Sequence, residues 1–158
     1  MALIVVGISD YKTARRPDRL ITYALGSCVG TCLFDERSGA AGLSHILLPD
    51  STINRTDTNI MKYADTAIEA LVREMERQGI RRTQLKAKIA GGANMFAAQS
   101  KSMNIGERNV AAVKEHLRRL GIRLLAEDTG KNYGRTVEFD PESGAMSVKS
   151  VLHGVHVF

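Results

Sequence analysis

The chain has 158 residues, 44% hydrophobic and 25% charged, the make-up of an ordinary globular protein long enough to bury a sizeable core. No apolar run approaches the ~20 residues of a membrane-spanning helix. The short apolar start, Met1 to Gly7, lacks a basic leader and a cleavage site, so it reads as a first strand and points to a cytoplasmic protein with no membrane insertion. A net charge of +5 admits an acidic partner, but the basic residues are scattered and no aromatic interleaves with a basic run, which argues against nucleic acid.

Residues 3–8 read as a strand. Residues 20–25 and 28–34 read as strand segments broken at Gly26-Ser27, followed by a turn at Asp35–Gly39 and a returning strand over 41–48 that Pro49 stops. Residues 50–59 are polar and read as a surface loop. Ala64, Ala67, Ile68, Leu71, Val72 and Met75 then recur at helical spacing up to Gly79. Arg73, Arg77 and Arg81 mark one solvated face of that helix. Lys86–Ala90 reads as a strand running into Gly91-Gly92. That pair lacks the Gly-Lys-Ser/Thr ending of a phosphate loop, so it is read as a tight turn. A second helix carries Val110, Val113, Leu117 and Leu120, with Asn104 and Glu107 as an approximate capping box and Gly121 as its end. Residues 122–126 form a strand, and the remainder reads as a hairpin of 136–139 and 146–152 around Asp140–Gly144. The whole is a single domain over 1–158 in the α+β class, a mixed sheet assembly with helices packed against it.

Two residues carry the chemistry. Cys28 follows a Leu25-Gly26-Ser27 turn and opens a strand; His45 lies in the next apolar run. A thiol and an imidazole brought together by strand pairing are the minimum equipment for nucleophilic attack on a carbonyl. If the pairing sum of the hairpin is odd, near 73 or 75, His45 stands opposite Cys28 or Gly30 and the two side chains share a face. An even sum separates them. Backbone N–H groups at Gly26, Ser27 and Cys28 are candidate oxyanion donors, and the Thr22 hydroxyl is a candidate to orient the imidazole. Unrelated packing of one Cys and one His is the competing reading. Cys32 sits four residues on, about 13 Å along a strand and beyond the ~7 Å a disulfide allows, and reads as a small buried hydrophobe. His116 reads as surface. His153 and His156 lack a third ligand, so no metal and no cofactor are expected.

The chain also resembles a known family. Thr22-x-x-Leu25-Gly26-Ser27-Cys28-Val29, His45-x-x-Leu48-Pro49-Asp50, Lys62–Ala67, Ala87–Ala93, Asn104-Ile105-Gly106-x-Arg108-Asn109 and Ala126–Gly130 occur, in order, in the CheD family of chemoreceptor glutamine deamidases. The resemblance covers about residues 20–140. It implies a fold similar to toxin-type cysteine deamidases, with layered mixed β-sheets in a β-sandwich-like core flanked by two or three helices. It implies a catalytic triad of Cys28, His45 and Thr22, with Ser27 in the site. It implies hydrolysis of receptor glutamine side chains to glutamate with loss of ammonia, and for some members hydrolysis of receptor methyl esters. Methyl-accepting chemotaxis receptors and a CheC-type phosphatase are the implied partners. The chain departs from the family at Lys131, where a second glycine is common, which implies a different loop conformation up to Arg135. A non-catalytic adaptor for receptor or phosphatase, and a thiol peptidase, are the alternatives.

Overall fold

The computed structural model describes residues 1–95 and 104–158. Among the described residues, two five-stranded mixed sheets lie face to face, and two α-helices cover the outer side of one of them. The first sheet has the order β1 (Leu3–Val6), β3 (Arg19–Leu25), β8 (Arg135–Asp140), β9 (Ala145–Ser150), β10 (Gly154–Val157). The second runs β2 (Tyr11–Arg15), β5 (Ala40–Ile46), β4 (Val29–Asp35), β6 (Lys86–Gly91), β7 (Arg123–Thr129). Helices α1 (Ala64–Arg77) and α2 (Ile105–Arg119) lie against this second sheet, which is therefore the middle layer.

Strand periodicity sorts the side chains. Along β4, Val29 and Leu33 face the helices, where Ala67, Ile68, Leu71, Met75, Val113 and Leu117 meet them. Cys32 and Phe34 face the other sheet, and the rings of Phe34 and Phe139 meet with centroids 4.9 Å apart. Every residue of β4 and β5 is buried, as strands covered on both faces must be. The β6–α2–β7 unit is a parallel pair joined through a helix, the connection that parallel pairing requires.

Several local expectations change. Residues 11–15 form an edge strand that the sequence did not announce, because only Ala14 among them is buried. The first strand stops at Val6, and the hairpin's second arm ends at Ser150 rather than 152. Within the polar stretch 50–59, Ser51–Ile53 winds into a 3-10 turn capped by Asp50, and a second such turn follows at Ile60–Lys62. Helix α1 ends at Arg77, so Arg81 lies beyond the face that Arg73 and Arg77 share. Asn104 caps α2 by accepting the Glu107 N–H at 2.9 Å, while its own amide donates to the Glu107 carboxylate. Lys131 lies at φ 63°, in the left-handed region that glycine adopts without strain.

Candidate active site

The hairpin fixes the register on which the site depends. Gly30 stands opposite His45 and Val29 opposite Ile46, a pairing sum of 75. Cys28 is therefore two residues along from the partner of His45 and on the same face, diagonal to it across the pair. Both side chains point between the sheets; Cys28 is 6% exposed and His45 is fully buried. Gly30 leaves room at this crowded point: a Cβ there would approach Leu25 Cδ1 at 3.2 Å and Thr22 Cγ2 at 3.7 Å.

Thr22 comes from the opposite sheet. Its hydroxyl lies 2.7 Å from His45 Nδ1 and donates to the Val6 carbonyl at 2.9 Å. A hydroxyl has one proton. With that proton committed to Val6, Oγ1 accepts from Nδ1–H, and the tautomer of His45 is set with its lone pair on Nε2. Nε2 is buried and has no hydrogen-bond partner. Burial holds the imidazolium down, moving the His45 pKa from 6.5 to about 4, so the ring is neutral at ordinary pH. Burial also pushes the Cys28 thiol up, and the residue's own N–H opposes that rise. Thiol and imidazole therefore rest as a neutral pair. No hydrogen bond joins them at rest, in keeping with the loose contacts common before substrate arrives.

The turn before the thiol is tied down from behind. Ala93 N–H donates to the Gly26 carbonyl at 2.9 Å, and Gly92 N–H to the Cys28 carbonyl at 2.8 Å. Asn109 of α2 donates from Nδ2 to the Ser27 carbonyl at 2.9 Å and to the Leu47 carbonyl at 3.0 Å. This proximity needs glycines. A Cβ on Gly91 would lie 2.2 Å from the Cys28 oxygen, and one on Gly106 would lie 2.4 Å from the Ala93 oxygen. The pair Gly91-Gly92, both at positive φ where β6 ends, thus seats the turn before Cys28, and Gly106 lets α2 reach it. Ala24, just upstream, sits at φ 59° beside an irregularity in the β3–β8 pairing between Thr22 and Leu25.

The structure thus brings Thr22 and His45 into contact and sets Cys28 on the face of the hairpin that bears His45, while the Gly26 N–H, expected as an oxyanion donor, is instead committed to the Ala24 carbonyl at 3.1 Å. Cys32 is a fully buried free thiol, and His116 is half-buried on α2. His156 contacts Asp128 at 2.9 Å, away from this constellation. Among the described residues, no three His, Cys, Asp or Glu side chains come together as a metal-binding group. A largely apolar groove of about 730 Å³ adjoins the turn, bordered by Ala24, Met95, Gly134, Arg135, Lys149 and Leu152, though Cys28 does not line it. Asn109 escaped notice as part of the site. The available signal was a carboxamide interrupting an otherwise apolar helix face.

Comparison with known proteins gives concordant results. A family model described as CheD chemotactic sensory transduction matches residues 47–150; it starts beyond His45, so Thr22, Cys28 and His45 lie outside the matched range. The chain is 49% identical over 157 residues to the probable chemoreceptor glutamine deamidase CheD of Syntrophomonas wolfei, covering 98% of each chain. It is 49% identical over 157 residues to the chemoreceptor glutamine deamidase CheD of Bacillus licheniformis, covering 98% of this chain and 94% of that one. A probable CheD of Clostridium botulinum is 53% identical over 150 residues, covering 94% and 93%. Among solved structures, a Neisseria meningitidis protein of the DUF152 family superposes with a TM-score of 0.56 at 9% identity, covering 83% of this chain and 64% of that one, a likeness of fold alone.

Proposed function

The chain belongs to the CheD family, and on that footing we propose that its 158 residues form one deamidase domain that hydrolyses the side-chain amide of chemoreceptor glutamines to glutamate. Cys28 is the nucleophile, His45 the base and then the acid, and Thr22 the residue that orients His45. The observation that carries these roles is the committed Thr22 proton. It leaves Nε2 of His45 as an unpartnered acceptor on the face of the hairpin that bears Cys28.

The chemistry follows from that tautomer. Nε2 takes the thiol proton as Sγ bonds to the amide carbon, so sulfur and nitrogen exchange one proton and no charge need persist on either before attack. The carbonyl π pair moves to oxygen, where the N–H groups of Ser27 and Cys28 receive the oxyanion, that of Gly26 being committed to the Ala24 carbonyl. The imidazolium returns its proton to the amide nitrogen, ammonia leaves, and a glutamyl thioester remains. Water then loses a proton to Nε2, its oxygen bonds to the thioester carbon, and the sulfur departs and is reprotonated. The same attack on a glutamyl methyl ester expels methanol instead. A neutral resting pair suits this sequence, because a protonated imidazole could not accept and a tightly held thiolate would be a weaker nucleophile. Receptor helices rich in Glu and Gln suit a chain of net charge +5 by long-range attraction, and a CheC-type phosphatase is the proposed regulatory partner.

Intact mass measurement of a receptor fragment tests the assignment. Wild-type protein is expected to convert amide to acid with the receptor chain uncut, and Cys28→Ala to leave the mass unchanged while remaining folded. Turnover by Cys28→Ala would refute the nucleophile; backbone cleavage by wild type would indicate a peptidase.

A further inference from the structure

Three consecutive carbonyls, those of Gly26, Ser27 and Cys28, each accept a hydrogen bond from behind the turn. Two of the donors are backbone amides of Ala93 and Gly92. The middle donor alone is a side chain, Asn109 Nδ2. A trans peptide unit is planar, with its C=O and N–H pointing in opposite directions. Holding the Ser27 oxygen therefore fixes where the Cys28 N–H points. The Ser27 oxygen faces α2, so that N–H points away from the helix, toward the side between the sheets to which the Cys28 side chain is turned.

Asn109 also ties this turn to the strand that bears His45. Its second bond goes to the Leu47 carbonyl, two residues beyond the imidazole. The side chain is fully buried on a helix face whose other buried members include Val113 and Leu117. Its Oδ1 has no hydrogen-bond partner, and a buried polar atom without one is costly. Both donated bonds end on carbonyls, so the NH2 group is the functional end. An aspartate here would set a carboxylate against two carbonyl oxygens.

We propose that Asn109 is a positioning residue of the deamidation reaction, holding the Ser27–Cys28 peptide so that the Cys28 N–H meets the developing oxyanion. This rests on the reading of Cys28 as nucleophile, which the wild-type and Cys28→Ala measurements test separately.

The experiment compares two reactions of the same sulfur. Deamidation of a receptor fragment passes through an oxyanion; alkylation of Cys28 by iodoacetamide is a direct displacement that builds none. For Asn109→Ala, kcat for deamidation is expected to fall roughly 10- to 100-fold, short of the 10²–10³ seen when an oxyanion donor is removed outright. KM, and the rate and pH profile of Cys28 alkylation, are expected to stay within about twofold. Asn109→Ser, which keeps one donor, is expected to lie between Ala and wild type in kcat, and Asn109→Asp below Ala. Unchanged kcat in Asn109→Ala overturns the proposal. So does a fall in alkylation that matches the fall in kcat, since that indicates general disorder of the site. If neither Ala nor Ser variant folds, the amide is a structural clamp only and the proposal also fails.

Discussion

Burial of His45 makes the stability of this fold depend on pH in a defined window. The native ring stays neutral down to about pH 4, whereas the same ring in the unfolded chain takes a proton below its ordinary 6.5. Between those values the unfolded state binds more protons, so acid favours unfolding. The stabilisation is complete above pH 6.5 and is lost as pH falls toward 4. The gap corresponds to roughly 3 kcal/mol in total, and about 2 kcal/mol of it is lost between pH 7.5 and 5. Against a typical domain stability of about 5–15 kcal/mol this is readily measured. The reference is His45→Asn, whose amide nitrogen takes the place of Nδ1–H opposite Thr22 but does not titrate. Urea unfolding of both proteins from pH 7.5 to 5 is expected to show their stability difference shrinking by about 2 kcal/mol in wild type's disfavour. Carboxylates common to both proteins cancel in that difference. Parallel curves would mean that the imidazole is solvated in the native state, and the neutral resting pair would have to be abandoned. The acid limb of kcat/KM reports the same group in the free enzyme and is expected well below 6.5.

Thr22→Val removes the acceptor for Nδ1–H while keeping the shape of the side chain. It is expected to lower kcat by roughly 10- to 100-fold and to cost about 1–3 kcal/mol of stability, since the Val6 carbonyl and the imidazole N–H both lose a partner. Nitrogen-15 shifts of His45 check the cause; an unchanged tautomer in the variant would remove Thr22 from the mechanism. Lys131→Gly relieves an exposed left-handed residue and is expected to raise stability by up to about 1 kcal/mol, seen as a rise in Tm of about 2–4 °C. A lower Tm would show that the larger conformational freedom of glycine in the unfolded chain outweighs the strain.

The part of the site built from one hairpin was legible in the sequence. The Asp35–Gly39 turn between two apolar runs implies antiparallel pairing but leaves the parity of the pairing sum open, and the structure sets it at 75 by placing Asp35 opposite Ala40. Contacts between sheets leave no such trace. Thr22 meets His45 because two layers stack there, and no spacing along the chain encodes that meeting; Thr22 is a candidate from its hydroxyl chemistry and from the family resemblance, not from periodicity. Strands β2 and β10 were missed because edge strands bury little, and β10 buries no residue at all. Asn109 was passed over because a hydropathy pattern tracks apolar positions. The observed buried face of α2, Gly106, Asn109, Val113 and Leu117, is offset from the Val110–Leu120 stripe read from sequence.

The Thr22 hydroxyl bond to Val6 makes strand β1 part of the proposed proton circuit, although the strand is four residues long and, among the described residues, pairs with β3 alone. Were β1 to peel away, the freed hydroxyl could donate to Nδ1 instead, and the ring's outward nitrogen would turn from proton taker to proton carrier. On the proposed reading, competence of the base is thereby interlocked with the docking of a short marginal ribbon whose inner residue, Val6, also packs into the space between the sheets.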